Sequence, residues 1–221
     1  MDIGIFGRNN PVTRFIEELL KNNGINVTVL TDNSIENVIR QIGGLDYLIL
    51  NHSIPVNRKV IESVPVRSRI IEISPVKTPY KQFSGEITSI SLLRESDENT
   101  VQDYMTVIYV DDISVKGNEE FVRDIFRGFR FLKMGIEEHE RLASEILVKP
   151  YVMALLSRKF SDLEFNPSTI EYEKILSISR IISNHNIDEI REIIRYNPYS
   201  SEIFEKMEND LKRVWNELSF Y

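Results

Sequence analysis

Short apolar runs alternate with amphipathic stretches through the first half of this 221-residue chain. The apolar runs have the length of buried strands, and the stretches between them carry apolar residues at helical spacing. The pattern predicts strands at Ile3–Phe6, Asn26–Leu30, Tyr47–Asn51 and Arg69–Ile73, and helices at Thr13–Asn22, Ile35–Ile42 and Val56–Val64. Because parallel strands need crossover connections, this alternation predicts a parallel sheet with helices on both faces, an α/β Rossmann-like domain.

The pattern changes from residue 86 onward. Two strand-like runs, Ile87–Leu93 and Thr106–Val110, flank a polar loop, and the amphipathic stretch Glu119–Lys133 predicts a helix. The remainder predicts helices at Glu137–Ser157, with a kink at Pro150, and at Ser168–Asn184, Ile187–Tyr196 and Ser200–Phe220. We therefore expect a Rossmann-like domain over residues 1–136 and an all-α domain over residues 137–221.

Charge and composition narrow the class of partner. The net charge of −7 gives no basic excess for neutralising phosphates, so we expect no nucleic-acid binding. No apolar run approaches the roughly 18 residues of a membrane span, and the N-terminus lacks a signal-peptide pattern, so we expect a cytoplasmic protein. The chain has no cysteine and its three histidines are far apart, so no metal site is expected.

Five segments carry a resemblance to a known family. They are Ile3–Gly7, Leu45–Leu50, Ile71–Thr78, Glu137–Arg141 and Arg195–Tyr199. In this order and spacing they resemble the prephenate/arogenate dehydrogenase family of tyrosine biosynthesis. The resemblance implies an NAD(P)-binding Rossmann domain, a helical dimerisation domain and oxidation of a prephenate-like acid, with the substrate cleft between the two.

The turn after the first strand is the expected cofactor site. A Rossmann turn needs glycines where the backbone approaches the pyrophosphate and where helix and strand pack closely. Here the turn begins at Gly7 and continues through Arg8, Asn9 and Asn10, and Val12 stands at the third glycine position. Asparagine tolerates unusual backbone angles, so Asn9 or Asn10 could replace a glycine, whereas Val12 is expected to obstruct packing. The turn is either a weakened nucleotide site or one that binds no nucleotide.

The second strand carries the expected ribose contact. The acidic residue that would hold a ribose hydroxyl falls at Thr31, and Asp32 follows one position later. Arg8 could instead bind a phosphate, including the 2′-phosphate of NADP. The cofactor is therefore expected to be NAD or NADP, with the choice between them open.

The resemblance also indicates changes in the substrate pocket. Ser91 stands where it places the catalytic histidine, and a serine cannot serve as a general base near neutral pH. Pro75 replaces an expected serine. A polar, histidine-bearing pattern of the long helix is replaced at residues 147–151. These three departures favour altered or lost chemistry.

The remaining polar residues supply candidates for the pocket. Lys77 and Arg94, with Ser91, are the expected substrate-binding residues, because charge-assisted pairs suit a carboxylate. Both cations could equally be ordinary surface residues. His52, after the third strand, and His139, in the best-matching helical motif, are weak catalytic candidates. The alternatives are a loop histidine and a histidine that caps or is solvated near a helix start.

The apolar pattern of the last helices predicts a partner. Apolar residues recur at helical spacing at Ile175, Ile178, Ile182, Phe204, Met207, Leu211, Val214 and Leu218. These helices carry more apolar surface than they can bury against one another. The resemblance implies that the partner is a second copy of the chain. Two functions stay open: an NAD(P)-dependent oxidoreductase of the prephenate dehydrogenase type, and a catalytically inactive homologue that acts as a dimeric binding or regulatory protein.

Overall fold

A computed structural model describes residues 1–30, 34–95, 104–161, 169–183 and 186–219. The chain forms two compact units, Met1–His139 and Glu140–Tyr221. The first unit has an α/β structure built on a mostly parallel sheet, and the second unit is helical. Each unit is described by itself below.

The first unit is organised by a sheet that has seven strands within the described ranges. The strands are β1 (Asp2–Gly7), β2 (Asn26–Leu30), β3 (Tyr47–Asn51), β4 (Ile70–Glu72), β5 (Thr88–Glu95), β6 (Tyr104–Val110) and β7 (Arg130–Met134). Their spatial order is β2-β1-β3-β4-β5-β6-β7. The first five strands run parallel, β6 is antiparallel to β5, and β7 is parallel to β6. The predicted parallel α/β architecture is confirmed.

The helices of this unit follow from local capping signals. They are α1 (Pro11–Asn22), α2 (Ile35–Ile42), α3 (Ile54–Ser63) and α4 (Asn118–Ile125). Helix α1 begins where the Asn10 side chain accepts a hydrogen bond from the backbone N–H of Thr13, at 2.9 Å. It ends before Gly24, whose φ of +72° suits a residue without a Cβ.

The centre of the sheet is a continuous apolar core. Fully enclosed side chains include Ile3, Ile5, Ile49, Ile71 and Ile90. Successive residues of these central strands are buried on both faces, as the continuous apolar runs of the sequence require. Burying each such side chain contributes about 1.5–3 kcal/mol, so the parallel strands are the most stable part of the unit.

The predicted helix at Glu119–Lys133 was wrong in its second half. Helix α4 ends at Ile125, and Gly128, with a φ of +93°, turns the chain into the edge strand β7. In β7 the ring of Phe131 stacks on that of Tyr109, with centroids 6.1 Å apart. The apolar residues of this stretch satisfied a helical period, but the glycine breaks the helix and permits the turn.

The second unit consists of consecutive helices. They are α5 (Ile136–Ala143, which begins in the first unit), α6 (Lys149–Ser161), α7 (Ile170–Ser183), α8 (Ile187–Tyr196) and α9 (Ser200–Leu218). A π-helical turn, Ser144–Val148, joins α5 to α6 immediately before the predicted kink at Pro150. Helix α6 packs on α7, and the π-helical turn packs on α8 and α9. The predicted ends at Ser168, Asn184 and Phe220 lie outside the described residues.

Two of the segments that carried the resemblance interlock in this unit. The side chain of Asn197 donates to the backbone carbonyl of Glu140 at 2.9 Å and to its carboxylate at 3.0 Å. Both residues are buried. The guanidinium of Arg141 lies over the ring of Tyr199, 4.4 Å from the centroid. These residues therefore fix the α8–α9 turn against α5.

The described part of the chain holds no helix with the length and apolar character that crossing a membrane would require.

We predict that Gly7→Ala destabilises the protein by about 1–3 kcal/mol, because the added methyl group overpacks a filled site. A Cβ there would lie 2.8 Å from the Thr13 hydroxyl and 3.0 Å from the Asn51 carbonyl oxygen. Gly43→Ala is the control: it meets open space at a φ of −61°. It should leave stability unchanged or raise it by about 0.4–1 kcal/mol. Chemical denaturation measures both, and equal stabilities would contradict the close approach.

Candidate functional site

The strand order locates the site. In the order β2-β1-β3-β4-β5 the connections reverse direction between β1 and β3. Ligands of open α/β sheets bind in the crevice outside the carboxyl ends of the strands at this switch point. Gly7–Asn10 follow β1, and Asn51 and His52 lie at the end of β3. The predicted cofactor turn and His52 therefore lie at one edge of the sheet.

A hydrogen-bond network closes the turn after β1. The Asn51 amide donates to the Asn10 side-chain oxygen at 3.1 Å and to the Thr13 hydroxyl at 2.8 Å. The Thr13 hydroxyl in turn donates to the carbonyl of Arg8 at 2.7 Å. The N-terminus of α1 is thus capped by the protein's own side chains, at the place where a Rossmann fold holds pyrophosphate.

The turn keeps few of its backbone donors for a ligand. Pro11 has no N–H group, and the Thr13 N–H donates to the Asn10 side chain. Within the described part of the chain, the backbone amides of Asn9 and Val12 are left as donors for a ligand. Two expectations about this turn were wrong. Neither Asn9 nor Asn10 has a positive φ, so neither imitates a left-handed glycine. Val12 is 41% exposed, and the close helix–strand contact is made by Thr13 against Gly7 instead.

Three predicted site residues cannot be placed at the site. Thr31 and Asp32, the expected ribose contacts, lie outside the described residues. Arg94 belongs to strand β5, and its side chain is likewise outside the described part of the structure. The predictions for these three residues stay predictions.

A buried carboxylate dominates the carboxyl end of β4. Glu72 is fully enclosed and forms an ion pair with Lys77, which is also fully enclosed. The carboxylate accepts further hydrogen bonds from the Ser89 hydroxyl at 2.8 Å and from the backbone N–H of Ser74 at 2.9 Å. Lys77 also donates to the carbonyl of Ile90 at 2.6 Å. The pair therefore ties β4, β5 and the loop between them.

The burial of Lys77 changes its expected role. It is neither a surface cation nor an exposed carboxylate ligand, because its ammonium group is committed to Glu72 and Ile90. Its positive charge still acts on neighbouring groups, since screening is weak inside a protein. Lys77 is therefore a buried structural charge near the carboxyl end of β4.

Ser91 and His139 form the second polar feature. The Ser91 hydroxyl lies 2.8 Å from His139 Nε2 and 3.1 Å from the carbonyl oxygen of Ser74. Both side chains are about 2% exposed. An imidazole from α5 thus lies against the serine that stands where the resemblance placed a histidine.

The electrostatics keep this imidazole uncharged. Burial and, to a smaller extent, the positive charge of Lys77 together lower the pKa of His139 to about 3. The folded protein therefore carries neutral His139 near neutral pH. The other ring nitrogen, Nδ1, is buried and has no hydrogen-bond partner among the residues that the structure describes.

The His52 ring makes two contacts, one through a nitrogen at its edge and one through its face. Its Nδ1 accepts a hydrogen bond from the backbone N–H of Ser53 at 2.8 Å, at the start of α3. Its ring stacks on Phe6, with centroids 5.3 Å apart. His52 is half-buried at the carboxyl edge of β3. His52 thus lies in the loop after β3 at the carboxyl edge of the sheet, and its role as a pocket residue stays a prediction.

The sequence analysis missed a buried amide–hydroxyl cluster. Asn57 donates to the Ser74 hydroxyl and to the Tyr80 hydroxyl, each at 3.3 Å, and these two hydroxyls lie 2.7 Å apart. Asn57 and Tyr80 are fully buried. A polar residue inside the amphipathic stretch that predicted α3 was the available signal, because Asn57 lies between apolar positions of that helix.

Sequence comparisons and structural comparisons give different answers for this chain. No family model and no curated protein matches its sequence. Its structure has a Rossmann-like, mostly parallel sheet followed by helices. Among solved structures it is similar to the prephenate dehydrogenase of Aquifex aeolicus in complex with hydroxyphenyl propionate and NAD⁺, with a TM-score of 0.70 and 12% identity over 99% of this chain and 92% of that one.

Two further structures define how specific this likeness is. The arogenate dehydrogenase of Synechocystis matches with a TM-score of 0.66 and 13% identity, over 99% of this chain and 92% of that one. The 2-dehydropantoate 2-reductase of Porphyromonas gingivalis matches with a TM-score of 0.52 and 11% identity, over 99% of each chain. The chain therefore has the fold of the prephenate and arogenate dehydrogenases, as the resemblance implied.

We predict that Lys77→Met costs about 3–5 kcal/mol of stability, because it leaves the buried Glu72 carboxylate without its counter-ion. The control is Lys21→Met, which removes an exposed ion pair with Glu17. That change should cost less than about 0.5 kcal/mol. Adding Glu72→Gln to Lys77→Met should recover part of the loss in urea denaturation. No recovery would show that the charge of Glu72 is not the cause.

Proposed function

We propose that this protein is an NAD(P)-dependent oxidoreductase of the prephenate dehydrogenase type, acting on a small hydroxy acid related to prephenate. The observation that carries the proposal is the Ser91–His139 pair, which brings an imidazole within 2.8 Å of the hydroxyl at position 91. The chain has serine rather than histidine at position 91, and the imidazole of His139 supplies the missing group from a neighbouring helix. The fold shared with prephenate and arogenate dehydrogenases supports the same reaction class.

The buried charges near this pair support a ligand site. Taking Lys77 and Glu72 out of water is costly, and an apolar pair of similar volume is often as stable. His139 nearby has a pKa lowered by burial, and buried ionisable groups with shifted pKa values cluster at functional sites. The carboxyl ends of β4 and β5 hold both the Glu72–Lys77 pair and Ser91. We infer that this edge of the sheet is kept polar for a ligand.

The turn after β1 fits the phosphates of a dinucleotide in part. Gly7 allows close backbone approach, the amides of Asn9 and Val12 can donate to an anion, and the exposed Val12 side chain does not fill the turn. Arg8 adds a positive charge at the same turn. When bound, the oxidised nicotinamide would accept the hydride that leaves the hydroxyl-bearing carbon, while the substrate loses carbon dioxide. Neutral His139 can hydrogen-bond that hydroxyl without adding a competing positive charge.

A second function is favoured by one observation. Asn10, Thr13 and Asn51 close the N-terminus of α1 with internal hydrogen bonds, as a turn that binds no nucleotide would. On this alternative the chain is a catalytically inactive homologue that acts as a dimeric binding or regulatory protein. The two functions differ in one measurable property, the affinity for the cofactor.

The cofactor experiment tests binding at the turn after β1 by substituting Val12. We predict that calorimetry with NAD⁺ and NADP⁺ gives micromolar binding of at least one of them, and that Val12→Asp weakens it about tenfold or more, because the new carboxylate repels the pyrophosphate. An acidic residue in the first helical turn does not destabilise the helix. The control is Val66→Asp, an exposed valine away from the turn.

The result then divides the two functions. Binding that Val12→Asp weakens and Val66→Asp leaves unchanged supports the oxidoreductase, and turnover of prephenate is measured next by NAD(P)H absorbance. Wild-type protein that binds neither cofactor at millimolar concentration rejects the oxidoreductase and leaves the inactive homologue.

We also propose that the protein is a homodimer through α9. Phe204, Leu211 and Leu218 repeat every seven residues and are exposed, and Met207 and Val214 lie between them. This alternating spacing of three and four residues is the seam of a coiled coil. The charges beside the seam are paired along the helix, as for Lys212 with Glu208. Two copies of the same seam can therefore meet without strong repulsion.

We predict that size-exclusion chromatography with light scattering gives about twice the chain mass of 25.8 kDa. Leu211→Glu with Val214→Glu should give the mass of one chain, because four carboxylates would be desolvated in the seam. The control pair is Asn209→Glu with Asn216→Glu, on the polar face of α9. A seam variant that stays dimeric would show that the dimer, if formed, uses another surface.

A further inference from the structure

Asn57 holds the loop after β3 by its backbone. Its side-chain oxygen accepts a hydrogen bond from the His52 N–H at 3.2 Å, and its side-chain nitrogen donates to the His52 carbonyl at 3.1 Å. Asn57 lies in the N-terminal half of α3 and is fully enclosed. An amide that matches both backbone groups of one residue binds it as a neighbouring strand would. The loop after β3 is therefore fixed to α3 through its backbone.

The same amide also reaches the loop after β4. Its nitrogen lies 3.3 Å from the Ser74 hydroxyl and 3.3 Å from the Tyr80 hydroxyl. A side-chain amide has two protons, so the three acceptors around this nitrogen must share them. In enclosed surroundings, water does not replace a hydrogen bond that is lost. A displacement of the His52 carbonyl therefore changes which acceptors the amide protons serve.

Asn51 connects the loop after β3 to the turn after β1. It precedes His52 in the chain, and its side-chain amide donates to Asn10 and Thr13. The Thr13 N–H donates to the Asn10 side chain, and it is also a suitable donor for a phosphate in the turn. A change at the turn therefore alters the hydrogen bonds of Asn51. The planar peptide bond after Asn51 carries the displacement to the His52 N–H that Asn57 binds.

Ser74 connects the amide to the imidazole of His139. Its hydroxyl accepts from Asn57, and its carbonyl accepts from the Ser91 hydroxyl at 3.1 Å. Ser91 Oγ lies in turn 2.8 Å from His139 Nε2. Ser74, Ser91 and His139 are all buried, and all of these residues belong to the unit Met1–His139. The orientation of Ser74 therefore affects how the imidazole is held.

We propose that Asn57 is a positioning residue that couples the turn after β1 to the Ser91–His139 pair. The proposal rests on the function proposed above, because it gives the turn and the pair, the two parts of that site, a physical connection. In the oxidoreductase, filling the turn with the phosphates of a cofactor displaces Asn10, and the sharing of protons at Asn57 then changes how His139 is held. An apolar residue at position 57 would satisfy the amphipathic pattern of α3 and leave the two loops unconnected.

The first test is a double-mutant cycle measured by chemical denaturation without any ligand. Asn51→Ala alters the turn, Ser91→Ala alters the pair, and these two side chains share no hydrogen-bond partner in the described structure. Strand β4 separates β3 from β5, so the two residues lie about 10 Å apart, where independent effects on stability are additive. We predict that their effects on the unfolding equilibrium constant depart from additivity by about fivefold. Additive effects would overturn the coupling.

Ser74→Ala cuts the connection. It removes the hydroxyl that binds Asn57 and keeps the backbone groups that bind Glu72 and Ser91. We predict that the coupling between Asn51→Ala and Ser91→Ala falls below about twofold in this background, and in Asn57→Ala as well. Asn57 is fully enclosed, so Ser74→Ala decides the question if Asn57→Ala does not fold. Coupling of full size in Ser74→Ala would show that Asn57 does not carry it.

The second test is spectroscopic and separates positioning from stability. Nitrogen-15 NMR reports the hydrogen bonding of each imidazole, and the chain has three histidines to assign. We predict that Asn51→Ala shifts the His139 signals in wild-type protein and leaves them unchanged in Ser74→Ala. The matched control is Asn23→Ala, which removes another side-chain amide of this unit, bonded to the Ile125 carbonyl at 2.8 Å. This control should leave the His139 signals unchanged in both backgrounds.

The outcomes separate the coupling from the proposed function. Neither test contains a cofactor, so wild-type protein that binds no NAD⁺ or NADP⁺ rejects the oxidoreductase in the separate titration. Additive effects of Asn51→Ala and Ser91→Ala, or His139 signals that do not respond to Asn51→Ala, overturn the coupling whatever the cofactor titration gives.

Discussion

The enclosed ion pair of Glu72 and Lys77 is the constraint on which the site depends. A carboxylate without water must receive hydrogen bonds on both oxygens, so Lys77, Ser89 and the Ser74 amide are all oriented toward it. Orienting Ser74 in this way leaves its carbonyl free to accept from Ser91, which holds His139. The position of the imidazole therefore derives, through the two hydrogen-bonded residues Ser74 and Ser91, from one charge buried at the end of β4.

That arrangement also shows how a side chain from another element can occupy the place of one that the sequence lacks. At 12% identity to the Aquifex enzyme, few side chains are expected to be shared. The two proteins are therefore better compared by the chemical groups that lie at a given place in the fold than by the residues at matching sequence positions. An imidazole is available beside position 91 although the residue there is serine. At the cofactor turn, by contrast, Asn10 and Thr13 satisfy the helix terminus internally, so the anion site competes with the protein's own groups. The surroundings of Ser91 and the turn after β1 therefore depart from the resembled family in different ways.

The fold was predictable from the sequence wherever burial alone decides the structure. The central strands, such as β3, are apolar on both faces, so their period and length were sufficient. Strand β7 was missed because its apolar residues fit a helical period and only the backbone angle of Gly128 distinguishes the two. The site was harder, because the partners of Lys77 and Ser91 come from separate strands and from α5. Hydrogen-bond partners so far apart in sequence leave no periodic signal, and Lys77 could not be recognised as buried.

The π-helical turn at Ser144–Val148 has a consequence for the residue register of the helix that contains it. Such turns arise when one extra residue is inserted into an α-helix, and the helix absorbs it locally rather than rotating everything that follows. A register count along this helix is therefore offset by one position beyond the turn, and Pro150 and Tyr151 correspond to different neighbours than their spacing from His139 implies. Because the turn packs on α8 and α9, the inserted residue is held by tertiary contacts. The side chains of α6 therefore cannot be placed by counting from α5 with a regular helical period.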